Sequence, residues 1–288
     1  MYIFAESIYW GSLVFTLLAP FAIFGLYKKS PRAAYLAILF FLVFLWARFI
    51  EPQWIRVKEI DLQKELGVKI ALISDTHMGV YKNPSFLKRA VSKINAFEPD
   101  VVLIAGDSLY FSKDPEKDLG ALSGLNAPTF AVLGNHDVEQ SGKYIKDKTK
   151  DALEKAGVKI LENEVVDLEK FQLFGLGELW EEKSDLEILQ KRSADKQSIV
   201  LIHNPDAVLN FTGSDKFKNL LVLAGHTHCG QIRIPILYRF VIPTKGNFPR
   251  GGVYKLPQNS KLIVSCGLGE IGLPARLFNP PEIILINL

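Results

Sequence analysis

The 288-residue sequence predicts an α/β domain preceded by a two-helix transmembrane hairpin. Three observations predict it. Two long apolar runs occupy the first 50 residues; beyond them, short runs rich in β-branched residues alternate with charged amphipathic stretches; and five of those runs pass directly into polar residues. The boundaries that follow are 1–52 for the hairpin, 53–65 for a linker with a first strand, and 66–288 for the α/β domain. Hydrophobic residues make up 48% of the chain, enough for a substantial core. The 34 basic and 31 acidic residues are interspersed and leave a net charge of +3, so no polybasic footprint forms and nucleic acid is not an expected partner.

The hairpin comes first. Ser7 to Tyr27 is 21 residues without a charge, long enough as a helix to cross the roughly 30 Å hydrocarbon layer. The second run, Ala33 to Ile50, carries only Arg48, close enough to its end to snorkel toward the headgroups. Lys28 to Arg32, reading KKSPR, makes a tight connection, so residues 8–50 meet the bilayer as a helical pair and the protein is expected to be multi-pass. A cleaved signal peptide fits poorly, because Glu6 precedes the first run, no basic residue does, and the run exceeds a signal core in length. Lys28, Lys29 and Arg32 favour a cytoplasmic connection against the competing Arg48, Arg56 and Lys58. That reading places the α/β domain on the extracytoplasmic face.

Beyond EPQW (51–54) strands are expected at 69–74, 101–105, 129–133, 171–176, 198–202, 219–224, 262–266 and 282–287, with a further one in VKIL at 158–161. NPSFLKRAVSKINAF (83–97) reads as a helix: Asn83 caps it, Pro84 takes the first helical position, and Phe86, Leu87, Ala90 and Ile94 recur at helical spacing. DKTKDALEKAG (147–157) reads as another, closed by Gly157. The strand ends carry the chemistry. IALIS runs into DTH, VVLIA into GD, FAVL into GNHD, IVLI into HNPD and LLVLA into GHTHCG, so polar residues gather at the sheet edge where α/β folds bind ligands. All five histidines, His77, His136, His203, His226 and His228, lie in these motifs beside Asp75, Asp107 and Asn135, which argues for a metal cluster over scattered structural roles.

Those motifs, in that order, resemble the calcineurin-like metallophosphoesterases over roughly residues 66 to 288. The resemblance implies a two-sheet αββα sandwich. It implies one metal held by Asp75, His77, Asp107 and His228, and a second held by Asp107, Asn135, His203 and His226, with Asp107 bridging. It also implies that His136 is catalytic and faces the leaving group. Mixed imidazole, carboxylate and amide ligands suit two divalent ions, with Mn, Fe or Zn favoured. Two such ions activate a bridging hydroxide for in-line attack on a phosphate ester, which makes a protein nucleophile unnecessary.

One departure bears on substrate. Relatives acting on phosphoproteins carry Asp and Arg three and four residues after the bridging Asp, where this chain has Tyr110 and Phe111. Loss of the Arg removes a clamp for a dianionic monoester, so diesters and pyrophosphate esters are favoured. Whether Asp137 orients His136 instead stays open. An alternative reading takes GDSL, at 106–109, as a serine esterase motif with Ser108 as nucleophile; yet no Asp has a His three positions later to serve as its base. A second alternative, a membrane-tethered metal-binding scaffold without turnover, conflicts with seven ligand positions that are all competent.

The segment IRIPILYRFVIPTKGNFPRGG (232–252) is apolar and aromatic, with Arg233, Arg239, Lys245 and Arg250 spaced through it. It reads as a hairpin packed on the sheet, or as a rim in which Tyr238 and Phe240 admit a lipid tail and basic residues hold a headgroup. A phosphate-ester substrate carrying a lipid is then a candidate, since the hairpin would hold the site near the bilayer. Cys229 and Cys266 can form at most one bridge, and a free thiol at Cys229 is equally compatible with the sequence.

Overall fold

The computed structural model describes residues 2–62, 66–138, 143–180, 184–211, 217–236, 238, 242–246, 248 and 250–288, with backbone alone at 143–145. Residues 63–65 of the expected linker, and Arg239 and Phe240 of the expected rim, lie outside the described residues.

Alternation of side chains along each strand builds the layers. In β2 (Lys69–Ile73), Ile70 and Leu72 turn one way and Ala71 and Ile73 the other. The first face meets a second sheet; the opposite face meets helices. The first sheet is six-stranded, in the order β1 (Arg56–Asp61), β14 (Glu282–Asn287), β2, β4 (Val101–Ala105), β6 (Thr129–Val132) and β7 (Val158–Ile160). All neighbours are parallel except β14 and β2. The second is also six-stranded, in the order β12 (Gly252–Lys255), β13 (Lys261–Val264), β11 (Leu220–Ala224), β10 (Gln197–Leu201), β9 (Phe171–Gly175) and β8 (Glu164–Asp167). Its two edge strands are antiparallel and its interior is parallel. The sheets bury Leu103, Val132, Leu173, Leu201, Leu223 and Ile263 between them.

Helices α3 (Pro84–Asn95) and α6 (Lys143–Lys155) cover the first sheet through Phe86, Leu87, Ile94 and Leu153. As the sequence predicts, Asn83 caps α3: its side chain accepts from the Phe86 amide. The outer face of the second sheet differs from the αββα expectation in detail. Short 3₁₀ turns at Leu186–Lys191 and Pro205–Asn210 cover it in place of long helices, burying Ile188, Leu189, Ala207 and Val208 over Phe174, Val200 and Val222. Two short helices, α4 (Pro115–Leu119) and α5 (Asn135–Val138), and the two-residue strands β3 (Met78–Gly79) and β5 (Leu109–Tyr110) lie in the loops.

Near the amino terminus α1 spans Tyr2–Lys29 and α2 spans Pro31–Leu45, continued by a π turn at Trp46–Ile50 and a 3₁₀ turn at Glu51–Gln53. Both are long and apolar enough to cross a membrane, and little of either is buried against the protein. Phe15 meets Phe41 and Phe44 between them, and Arg48 donates to Ser12 Oγ at 2.9 Å.

The helical pair contacts the domain at several places, among them Tyr2, edge-on to Phe111, and Glu6, paired with Lys113 at 3.1 Å. Tyr9 stacks on Tyr81, whose hydroxyl donates to Gly272 O at 2.7 Å. At the end of α2 a buried polar network joins the EPQW and RLFNPPEI segments. Glu51 accepts from Trp46 Nε1 at 2.7 Å and from the Asn279 amide, and the Arg276 amide donates to Ala47 O at 2.8 Å. Arg276 is wholly buried and its guanidinium donates to the carbonyls of Cys266, Gly267, Gly269 and Asn279.

Candidate metal centre

Carboxyl ends of β2, β4, β6, β10 and β11 converge on one edge of the sandwich, and every candidate ligand sits within four residues of such an end. Tight turns aim them. Asp75, His77, Asp107, His226 and His228 all have positive φ, between 43° and 70°, a conformation uncommon for residues other than glycine. Strain concentrated on the side chains that carry the motifs is a mark of a functional site.

The residues form two groups. Ligand atoms of Asp75, His77 and His228 lie within 4.8 Å of one another, as do those of Asp107, His203 and His226. In the first group His77 Nε2 and His228 Nε2 approach to 3.0 Å, and Asp75 Oδ1 is 3.6 Å from the latter. In the second, Asn135 Oδ1 lies 3.0 Å from both His203 Nε2 and His226 Nδ1. Asp107 stands between them: its Oδ2 is 3.6 Å from His77 Nε2 and 3.3 Å from His203 Nε2. All eight sequence-predicted site residues, His136 included, are therefore gathered in one place and buried.

Carbonyls select the ring atoms that face inward. His203 Nδ1 donates to Ala105 O at 2.8 Å, so Nε2 is the ring atom turned toward Asn135 and Asp107. His226 is reversed, with Nε2 donating to Pro243 O at 3.2 Å and Nδ1 turned inward. Burial lowers His77 and His226 to about 3 and also lowers His228, which keeps them as neutral, lone-pair-bearing bases. Burial opposes the proton on His203 as well, but the adjacent Asp107 overcomes it and raises that ring to about 10. Burial raises Asp75 to about 7 against the pull of His203. Clustered imidazoles, two carboxylates and an amide oxygen, all turned toward shared points, are a donor set suited to divalent transition ions. The residues present fit such ions.

Asp137 does not touch the His136 ring. Its Oδ1 accepts from the amides of Ser108 and Leu109, at 2.9 and 3.3 Å, and its Oδ2 from Gly134 at 3.0 Å, so it braces the GD and GNHD loops against each other. His136 is placed instead by its own amide, which donates to Asp107 Oδ1 at 2.8 Å, and by edge contacts with Tyr110 and His77. Ser108 is buried, and its hydroxyl has no hydrogen-bond partner among the described residues; no imidazole activates it.

A cavity of about 860 Å³ opens over the cluster. Asp107, Asn135 and His136 form part of its floor, and Ile232, Ile234, Ile271, Leu273 and Trp180 part of its walls. Trp180, edge-on to His226 at 5.0 Å, is a site residue that sequence reasoning missed; it follows the predicted strand at 171–176 and so lies on the same sheet edge as the motifs. The expected hairpin at 232–252 is not found among the described residues before β12. Ile232 makes one bridge with Leu277, and Ile232, Ile234, Tyr238 and Pro243 line the cavity over the site. Cys229, next to His228, is joined to Cys266 by a disulfide, which decides between the thiol and bridge readings and ties the GHTH loop to the end of β13.

A sequence model described as calcineurin-like phosphoesterase matches residues 68–230. The chain belongs to that family. Its members are metal-dependent phosphoesterases, and the motifs and the two Asp/His groups described above are those of a phosphoric ester hydrolase. An uncharacterized metallophosphoesterase of Campylobacter jejuni, Cj0846, is 34% identical over 81% of this chain and 63% of its own length, so this chain spans less than two thirds of that relative. The uncharacterized metallophosphoesterase YkuE of Bacillus subtilis is 30% identical over 84% of this chain and 88% of its own. The UDP-2,3-diacylglucosamine pyrophosphatase LpxG of Chlamydia muridarum is 26% identical over 85% of this chain and 93% of its own.

Proposed function

We propose that this chain is a membrane-anchored, two-metal phosphoesterase acting on a phosphodiester or pyrophosphate ester that carries a lipid. Asp75, His77, Asp107 and His228 hold one divalent ion, and Asp107, Asn135, His203 and His226 the other, with Mn, Fe or Zn suited to the set. The observation that carries this reading is the position of Asp107 Oδ2, within 3.6 Å of a histidine from each group. When bound, the ions supply charge for the phosphoryl oxygens and an activated water.

The chain's own side chains supply the rest. His136 lines the cavity with its Nδ1 enclosed, which leaves Nε2 to pass a proton to the departing oxygen. Tyr110 packs edge-on to His136 and His77, and no Arg is among the described residues that line the cavity. Ile232, Ile234, Ile271 and Leu273 give the cavity an apolar wall for a lipid chain and exclude water from the reacting phosphate.

Three observations support a lipid substrate at a bilayer. The first of two helices of membrane-crossing length packs at the cavity's edge through Tyr9, Tyr81 and Gly272; the walls are apolar; and a relative is named for a diacylglucosamine pyrophosphate. The domains are then 1–52 for the anchor, 53–65 for the linker and first strand, and 66–288 for the catalytic unit. The disulfide supports an extracytoplasmic catalytic domain, since such bonds persist in oxidising compartments.

The test is hydrolysis of lipid monoesters, diesters and pyrophosphates by the metal-loaded protein, alongside Asp107→Ala and Ser108→Ala. Turnover should be greatest on a lipid diester or pyrophosphate, lost in Asp107→Ala and kept in Ser108→Ala. An inactive Ser108→Ala protein with full metal content would overturn the reading.

A further inference from the structure

A second cavity, of about 740 Å³, lies on the far side of Tyr238 from the metal centre. Arg233, Arg250, Tyr238, Ile236, Pro235 and Phe278 line it. Neither arginine lines the metal-facing cavity, so the expected rim divides: Ile232, Ile234 and Pro243 line the site, and its two described arginines line the second cavity with Pro235 and Ile236. Lys245 belongs to neither lining; its amide donates to Asp206.

The second cavity is built. Arg233 Nε donates to Cys229 O at 3.0 Å and its amide to Leu277 O at 2.8 Å, while Arg250 Nε donates to Tyr238 Oη at 3.0 Å. Arg233 Nη2 also reaches Cys266 Sγ at 3.9 Å; these bonds fix both guanidinium groups and leave Nη1 of Arg233 and the Nη groups of Arg250 for a ligand. The charge around them favours an anion. Burial and the positive charges of Arg250 and Arg56 lower the pKa of Arg233, with the buried Glu282 opposing, so an arriving negative charge relieves both penalties. Beside the arginines stand Ile236, 76% exposed, and Phe278, 68% exposed. Exposed side chains of that size, next to fixed cations, suit the boundary between headgroups and acyl chains.

The level of the cavity follows from its attachment. Phe278 lies between Arg276, whose amide bonds to Ala47 O, and Asn279, whose amide bonds to Glu51. Both acceptors are at the end of α2, where Trp46 and Arg48 mark the edge of the apolar run. A loop bonded directly to the end of a membrane helix sits at that helix's interface.

We propose that this second cavity binds an anionic phospholipid of the surrounding leaflet, its phosphate held by Arg233 and Arg250 and its acyl chains lying along Ile236 and Phe278. The site rests on α1 and α2 being membrane spans and is independent of the metal chemistry. Its occupant is a resident lipid, not the molecule hydrolysed.

Native mass spectrometry of the full chain in neutral detergent tests it, with dioleoylphosphatidylglycerol, dioleoylphosphatidylcholine and soluble glycerol 1-phosphate as probes. The expected result is one phosphatidylglycerol retained per chain, at a preference over phosphatidylcholine of about tenfold or more, as a bidentate charged contact provides. Arg250→Ala, exposed and safe for folding, and Arg233→Gln should each reduce the preference, and the double variant should abolish it with metal content unchanged. Equal binding of the two lipids to the unaltered chain overturns the proposal, as does a preference that survives in the double variant. Displacement by an equal concentration of glycerol 1-phosphate would make this a soluble-phosphate site and overturn it too. Flotation with phosphatidylcholine vesicles isolates the other premise: a chain that does not float fails as a membrane protein, whatever its arginines do.

Discussion

Replacing Gly134 by alanine adds one carbon beside the carboxylate on which the two-metal reading depends. The new Cβ would fall 2.2 Å from Asp107 Oδ1, 2.6 Å from the Asp107 amide nitrogen and 2.8 Å from Asp107 Cγ. Ordinary contact begins at 3.4 Å, so 3.4 minus 2.2 leaves 1.2 Å to be found. The loop has little room to retreat, because the Gly134 amide is bonded to Asp137, which also holds the amides of Ser108 and Leu109. Asp107 must therefore move. Gly134 is not among the positive-φ glycines, so the effect is steric, not conformational. A misplacement of about 1 Å in a reacting constellation costs on the order of 10²-fold in rate. The expected outcome is a fall of that size in kcat on a soluble diester, with fewer than two ions per chain by inductively coupled plasma mass spectrometry. Gly120→Ala is the control, since its added carbon meets nothing within 4 Å. A Gly134→Ala protein that keeps two ions and loses less than about threefold in kcat would refute the idea that Asp107 is a fixed bridge.

Three other outcomes are expected. His136→Ala should retain metal yet lose about 10² to 10⁴ in kcat, most on esters with poor leaving groups; equal activity on such esters would remove His136 from proton transfer. Replacing Cys229 and Cys266 together by alanine removes a link across 37 residues and should destabilise the domain by about 3–4 kcal/mol in urea unfolding, whereas an unchanged midpoint would mean the bond does not form in the protein. Burial raises the Glu162 carboxyl, but bonds from Lys146 and Lys150 outweigh it and hold the group at about 2, against 4.5 when free. A depressed carboxyl stabilises above its unfolded pKa and loses that contribution as pH falls through its folded one. Glu162→Gln should thus cost about 1 kcal/mol at pH 7, after screening at this partly exposed site, and the difference should fade between pH 4.5 and 2. A difference that persists at pH 2 would contradict that assignment.

The parts legible in the sequence are those where a local pattern has one physical meaning. Ile70 to Ile73 alternate between two cores, and runs such as VVLIA are buried on both faces, so the interior strands were readable from hydrophobicity. The edge strands of the second sheet were not. Glu164–Asp167 and Gly252–Lys255 are half exposed and short, and only pairing with β9 and β13 makes them strands. The 3₁₀ layer over the second sheet has too few residues for a helical period. At the site, motif spacing brought the ligands to one edge, but Asp137 shows the limit of adjacency: it is next to His136 in sequence and bonded to other loops in space. The positive φ of five site residues has no sequence signal, since none of them is glycine. Asn279 and Glu51 are likewise unreadable as a pair, because 228 positions separate an amide and a carboxylate that meet only through the folded chain.

The pairing of β1 with β14 sets an order of events during synthesis. Arg56 leaves the ribosome just after the apolar helices, while Glu282, its register partner, follows 226 residues later. Contacts this distant in sequence close slowly, and here they cannot close at all until Glu282 has emerged. Until then the strand after the apolar helices offers an open edge, and the acceptors on Glu51 and Ala47 wait for Asn279 and Arg276. Completion of the first sheet is consequently a late event in synthesis. A chain cut before Glu282 should keep its amino-terminal helices but leave its first strand unpaired.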